Sequence, residues 1–334
     1  MVPSRWIILL VLLAALFLAD ISLGSVDIPL RDIMSILSGQ PGSEPIWTSI
    51  IMDFRLTKAI TCVFAGAALS ISGLLMQTLF RNPLAGPDVL GLSSGASLAV
   101  SLVFMGYSLG FALFSISNSW AVALAASLGS TIVFLMVLAI STRLRNNASL
   151  LIVGLMIGAG TSSIVSVLQF LSKAEDLQTY MIWTFGSLGS LSWTEIRVLG
   201  GILLAGALIA IASTKALNAW LLGVNYAQGL GINIRRARIL IIVATSILTG
   251  GVTAFCGPIA FVGLAVPHLV KLLFKTQNHK VLIPSVMAGG AVLLLFCDIV
   301  AQLPGRNQVL PINALTALIG APVVIWVILK TRMV

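Results

Sequence analysis

The chain has 334 residues, 58% hydrophobic and only 9% charged. Soluble domains carry about 25% charged residues, so this composition excludes an ordinary water-soluble domain and points to a polytopic membrane protein that uses lipid as its solvent. The net charge of +9, from 19 Lys and Arg against 10 Asp and Glu, reads as membrane topology. Nucleic-acid binding would need a basic face interleaved with aromatics, and the sequence has none.

Crossing the hydrocarbon core takes roughly 20 residues of helix at about 1.5 Å each. Ten apolar runs qualify, near 6–24, 57–79, 92–107, 120–141, 149–171, 193–213, 239–256, 259–275, 281–300 and 311–330. The runs are continuous and do not alternate with period two, so helices are expected, not a barrel. The third and eighth are short and interrupted by Gly, Ser or Pro. The first is long for a secretory signal and lacks an A-x-A site after it, so it reads as an uncleaved span. With the N-terminus inside, ten crossings place 13 of the 19 basic residues in cytoplasmic loops, including Arg81, Arg143, Arg145, Arg235, Arg236 and Arg238. Of the acids, only Asp88 falls clearly on that side. This asymmetry predicts ten spans with both termini cytoplasmic.

Two outer segments are long. Residues 25–56 contain "SVDIPLRDIMSILSG", which predicts a short amphipathic helix at the interface. Residues 172–192 mix aromatics with Gly and Ser and predict a partial helix over a pathway mouth, with Trp183 and Trp193 at the aromatic belt. Five spans precede 172–192 and five follow it, so the halves would run in opposite directions, as inverted repeats do. "NPLAGPDVLGLSSGAS" and "GPIAFVGLAVPHLV" each break a helix at a comparable place. Cys62, Cys256 and Cys297 lie inside apolar runs without a CxxC pair, and read as buried thiols, not metal or disulfide partners.

No catalytic constellation is visible. His268 and His279 have no carboxylate or cysteine nearby in sequence, and His268 reads as a capping or packing residue. Asp20 and Asp298 are the only acids within or bordering spans, both near outer ends. Ion-coupled carriers keep acids at mid-membrane, so a proton or sodium relay is disfavoured. No G-x-x-x-x-G-K-[ST] occurs, so ATP as an energy source requires a different chain.

Such a chain would need a cytoplasmic handle. "LLGVNYAQGLGINIRRAR" (221–238) reads as two short helices joined by a tight turn, with Gly223, Gly229 and Gly231 as turn formers. Leu222, Tyr226 and Leu230 recur at i, i+4 and i+8, giving one apolar face suited to a partner's groove. Arg235, Arg236 and Arg238 are expected to anchor this knuckle at the lipid headgroups.

Read together, the motifs resemble those of the FecCD-type permeases, membrane subunits of ABC importers for iron–siderophores, haem and cobalamin. "GAALSISGLLMQTLFRNPLAGPDVLGLSSGAS" (66–97), "GPIAFVGLAVPHLVKLL" (257–273) and "LPINALTALIGAPVVIWVILK" (310–330) are similar to family signatures in order and spacing. The resemblance covers nearly the whole chain. It implies an all-α type II ABC importer permease fold, one transmembrane domain over 1–334 with coupling helices near 218–238. It also implies a homodimer around one pathway in the bacterial inner membrane. Two ATP-binding cassette subunits would dock from the cytoplasm and bind the ATP and Mg, with no cofactor on this chain. A substrate-binding protein would deliver the chelate from outside.

The resemblance assigns ATPase coupling to Leu222, Gly223, Val224, Tyr226, Ala227, Leu230, Gly231 and Ile232. It assigns an inner gate or ATPase contact to Asn82, Pro83, Pro87 and Asp88. There the prolines forbid a continuous helix and Asn82 can cap one. Docking of the binding protein would fall to Arg55, Lys58 and Arg306. The family's R-L-P-R is here Arg55-Leu56-Thr57-Lys58, Gln302 stands where a relative carries arginine, and Asn313 stands where Gly often follows L-P-[VI]. The alternative function class is an ion-coupled secondary transporter or channel that needs no ATPase.

Overall fold

The computed structural model describes residues 2–24, 26–40, 42–106, 119–144, 147–302 and 309–331, and every regular element in them is helical. In chain order these are α1 (Val2–Ser22), α2 (Leu30–Leu37), α3 (Pro45–Ser49), a π-helical turn (Ile50–Arg55), α4 (Leu56–Phe80), a 3₁₀ turn (Pro87–Leu90) and α5 (Leu92–Met105). There follow α6 (Ser119–Arg143), α7 (Asn147–Leu171), α8 (Ala174–Thr184), α9 (Trp193–Ala212), α10 (Thr214–Leu221) and α11 (Val224–Gly229). The last are α12 (Ile234–Cys256), α13 (Val262–Phe274), α14 (His279–Ala301) and α15 (Ile312–Thr331). Helices α1, α4, α6, α7, α9, α12 and α14 are long and apolar enough to cross a bilayer. With the apolar α5, α13 and α15 they match the ten runs expected from sequence. The expected amphipathic helix in 25–56 is α2, and the expected partial helix in 172–192 is α8.

The largest boundary difference is at α12, which begins at Ile234 and not near 239. Asn233 caps it, its side chain accepting the Arg236 N–H at 2.9 Å, so the arginines lie in the helix's first turns. A capping box opens α9: Ser192 accepts from the Glu195 N–H, and the Glu195 carboxylate accepts from the Ser192 N–H at 2.8 Å.

Burial sorts the helices. The apolar window of α4 is 83% buried and that of α12 72%, against 17% for α1 and for α7, so α4 and α12 form the centre. They pack on each other. Helix α4 also packs on α13 and α14, while α12 packs on α5 and α6. Exchanging each helix for its counterpart five spans later turns the first set into the second, which is the packing of two inverted halves. Lipid gives apolar side chains no reason to leave it, so contact between spans rests on close backbone approach. A Cβ on Gly66 would run into the Gly290 carbonyl, and one on Gly73 into the Gly263 backbone. Those two sites dovetail α4 with α14 and with α13.

Helices α5 and α13 are short because the chain before each is broken, and the two breaks meet. Arg81, at φ 48°, ends α4 in the left-handed region, and Gly91, at φ 72°, precedes α5. Before α13 stand Gly257 (φ 73°) and Phe261 (φ 67°). Pro87 of the first break packs where a Cβ on Gly263 would sit, just after the second. The bundle thus has two ends: one carries α10 and α11, here the knuckle end, and the other carries α2, α3 and α8, here the far end.

Candidate coupling knuckle and far-end charge cluster

The knuckle is two short helices joined through Leu222 and Gly223. Gly223 sits at φ 116° and Gly231 at φ 78°, conformations that L side chains resist. Its apolar face points outward: Leu222 is 65% exposed, Tyr226 56% and Leu230 58%. Ala227 is buried, while Val224 and Ile232 pack partly against the core. The sequence-assigned coupling residues therefore divide into a solvent-facing tip and an anchoring base. Of the arginines, Arg235 and Arg236 are exposed. Arg238, expected to anchor at the headgroups, turns to protein: its Nη1 donates to the Ser141 and Leu144 carbonyls at 3.2 and 2.8 Å. A guanidinium satisfies the orphan carbonyls that end α6.

Beneath the tip lies a polar clasp. Leu217 and Trp220 of α10 are fully buried. On the same helix, Asn218 Oδ1 accepts the His279 N–H at 2.9 Å and lies 2.8 Å from His279 Nδ1, while Asn218 Nδ2 donates to Asn278 Oδ1 at 3.0 Å. His279 Nε2 is 2.8 Å from the Thr78 hydroxyl. These partners fit a neutral imidazole protonated at Nδ1, donating to Asn218 and accepting from Thr78.

The broken segment after α4 is held here too. His268 Nε2 donates to the Pro83 carbonyl at 2.7 Å, a packing role of the kind expected of that histidine. Asn82 caps α4 through its backbone, its N–H donating to Gln77 O at 3.1 Å, while its side chain accepts from Leu84 N–H at 2.9 Å. Its side chain thus forms a local turn. Ser93 donates to the Asp88 carboxylate at 2.7 Å, so Asp88 orders the start of α5. Pro87 packs inward at Gly263, and Pro83 stays exposed. Lys271 Nζ donates to Gln77 Oε1 at 2.9 Å, and Gln77 Nε2 to Leu264 O at 3.2 Å.

At the far end the charges turn inward. Arg55, expected to face a docking partner, is 6% exposed. Its Nη1 donates to the Ile21 and Ser22 carbonyls at 3.0 and 2.9 Å, and its Nη2 donates to Val26 O. The guanidinium closes the end of α1 and is consumed there. Lys58 pairs with Asp298 at 2.8 Å. Gln302 Nε2 donates to Asp298 Oδ2 at 2.7 Å and to Asp20 Oδ1 at 3.1 Å. Asp20 and Asp298, the two acids that sequence left apart at span ends, thus meet between α1 and α14. Donor atoms of Asp20, Cys62 and Asp298 lie within 4.8 Å of one another, a spacing a metal could use, but Lys58 already stands against Asp298 as the cation. Arg306 lies outside the described residues. All three cysteines are buried free thiols. The cluster borders a cavity of about 720 Å³ lined by Phe54, Lys58, Phe185, Ser190, Asp298 and Leu310, among others.

Ten helices, two inverted halves, two broken segments in contact and an exposed knuckle fit one family, and its model, that of the FecCD transport family, matches residues 11–330. The chain belongs to the FecCD transport family. It is 33% identical over 325 residues to the hemin transport system permease protein HmuU of Yersinia pestis, covering 97% of this chain and 95% of that one. It is 34% identical over 310 residues to the vitamin B12 import system permease protein BtuC of Salmonella typhimurium, covering 90% and 92%. Among solved structures, it matches a chain from an inward-facing metal-chelate type ABC transporter with a TM-score of 0.85 and 27% identity, over 98% of this chain and 99% of that one. A FecCD permease is a multi-pass transport subunit, and so is this chain.

Sequence reasoning missed the clasp. Asn218 stands in an ordinary amphipathic helix, and its partners lie 60 residues and more away. It also read Asn313 only as a departure from glycine. Asn313 Oδ1 accepts from Ala260 N–H at 3.1 Å, its Nδ2 donates to Thr184 O at 3.4 Å, and its own N–H donates to Phe185 O. One side chain ties the second broken segment to α8 and α15. The sole signal in the sequence was an asparagine where a helix should begin.

Proposed function

We propose that this FecCD permease is the membrane-spanning subunit of an ATP-driven importer. It works as a homodimer in the bacterial cytoplasmic membrane. Two ATP-binding cassette subunits bind the ATP and Mg and dock at the knuckle end, which faces the cytoplasm together with both termini. A binding protein delivers an iron–siderophore, haem or cobalamin-type chelate to the far end. The observation that carries this reading is the knuckle's tip. Leu222, Tyr226 and Leu230 are more than half exposed on a two-helix projection. Apolar groups held out on a structured scaffold mark a partner site.

Two further features support it. Helix α7 is mostly unburied and carries exposed Ser162, Ser163 and Ser166 beside Gly160. Small residues along an unburied face suit close approach of a second copy. HmuU and BtuC carry haem and vitamin B12 in their names, which favours a large chelate over a bare ion. With Arg55 and Lys58 held internally, docking of the binding protein rests on Arg306 and other far-end surface.

The test is reconstitution in liposomes with the cognate ATPase and binding protein, offering radioiron-loaded siderophore, haemin and cobalamin in turn. ATP-dependent accumulation of one of them is expected. Uptake by this chain alone, collapsing with an ion gradient, would establish the secondary-transporter reading instead.

A further inference from the structure

Taking the knuckle as the ATPase contact proposed above, we propose that Asn218, His279 and Thr78 are positioning residues for coupling. They form the clasp by which the knuckle moves α4, α13 and α14 as one block, carrying the ATPase stroke to the far-end cavity.

The knuckle's chain connections are poorly suited to transmit force. Helix α11 is bracketed by Gly223 and Gly231, both at positive φ, with open space where a Cβ would stand. Backbone of this kind bends at little cost. Tyr226 and Leu230, which lie between these turns, would swing without moving the helices, whereas Leu222 closes α10 ahead of Gly223 and can push on that helix directly. The side-chain connection is different. Asn218 holds both the first backbone N–H and the ring of His279, and through Asn278 it holds the cap of α14. The same ring reaches Thr78 in the last turn of α4. One imidazole, 1% exposed, therefore joins α10, α14 and α4. The Thr78–His279 bond is buried and so expensive to break, and the bonds from Asn218 to His279 are partly shielded.

The joined helices cannot slide past one another easily. Gly66 and Gly290 lock α4 to α14 at backbone contact, and Gly73 and Gly263 lock α4 to α13. Lys271–Gln77–Leu264 adds a polar tie between α4 and α13. Helix α14 has 23 residues, so it spans about 34 Å. At its other end Asp298 pairs with Lys58 of α4 on the wall of the far cavity. A displacement entering at His279 thus leaves at the cavity with the α4–α14 pair clamped at both ends. Packed elements of this kind shift between discrete arrangements more readily than they deform.

The experiment places one thiol, Ser190→Cys, on the cavity lining. It compares its labelling rate in the assembled complex with and without ATP and vanadate. The native cysteines are buried and contribute little background. Three properties are read together: ATPase association, ATP hydrolysis and the nucleotide-driven change in labelling. Asn218→Leu is close in shape and removes every bond that Asn218 makes to α14, leaving only the Thr78–His279 bond of the clasp. Asn218→Asp keeps the oxygen that His279 uses. In the Leu variant, association and hydrolysis are expected to persist, while the nucleotide-driven labelling change shrinks by at least about fivefold, the scale of a typical inter-site coupling energy. The Asp variant is expected to retain the change. Thr78→Val, which removes only the hydroxyl, serves if the Leu variant does not insert, with the same loss expected. A full nucleotide response in the Leu or Val variant, or equal loss in Leu and Asp, overturns the clasp. Failure of the unmodified chain to recruit an ATPase at all would instead overturn the function proposed above.

Discussion

The two ends of the bundle break the usual rule of burial in opposite ways. At the knuckle end, Leu222, Tyr226 and Leu230 stand exposed while asparagine, histidine and threonine lie beneath them. At the far end, Arg55, Lys58, Asp20 and Asp298 are drawn inside. The difference is one of satisfaction. Most of the far-end groups have partners within the chain: carbonyls for Arg55, an acid for Lys58, an amide for one oxygen of each acid, with Asp20 Oδ2 the exception. The knuckle's apolar tip has none, and exposed apolar area gains most from a partner. Charge in the sequence therefore located structure here, and the knuckle's exposed apolar tip is where the proposed ATPase contact would lie.

The sharpest way to break this contrast is to spoil the tip. Leu222→Asp with Leu230→Asp should leave insertion intact but weaken ATPase association by about 100-fold or more, as expected for two interface anchors. Co-purification with the ATPase measures it. Next in size is the far-end pair. Lys58→Met should destabilise the solubilised protein by about 3–5 kcal/mol, because it leaves Asp298 buried and unpaired beside Asp20. Adding Asp298→Asn should recover most of the loss, read by thermal unfolding of both variants. Arg55→Lys should cost about 1–3 kcal/mol, since one ammonium cannot serve three carbonyls in the planar manner of a guanidinium. Affinity for the binding protein should not change, and a clear loss of affinity would return Arg55 to a docking role.

The smallest effect tests the surface of the far end. Ser43 donates to Asp32 through its hydroxyl at 2.6 Å and its N–H at 2.8 Å, which holds that carboxyl below its usual range. A carboxyl lowered in the folded state stabilises above its unfolded value and loses that contribution as pH falls through the folded one. Protection of the α2 amides, as the ratio of intrinsic to observed exchange, should therefore fall only in acid, and Asp32→Asn should show the lower protection already at neutral pH.

Much of the fold was legible because lipid enforces one rule: a span must be an apolar helix of sufficient length. The ten runs and the broken third and eighth followed from that rule. The knuckle was legible because glycines and an i, i+4, i+8 face are local signals. What stayed hidden depends on pairs distant in sequence. Nothing near Asp20 announces Asp298, and nothing near Asn218 announces His279. Arg55 illustrates the same limit. The family resemblance assigned it to docking, and only the return of the α1 end to its side showed the carbonyls it caps. The early start of α12 was local, by contrast, and Asn233 as a cap could have been read from the sequence.

The most direct measurement of the central claim is photo-crosslinking in intact cells from a benzophenone side chain at Tyr226, the middle of the exposed face. One dominant adduct is expected, with an ATP-binding cassette subunit, lost when Leu222 and Leu230 are both aspartate. An adduct with an extracytoplasmic protein, or labelling of a cysteine at this position by a membrane-impermeant reagent from outside, would contradict it.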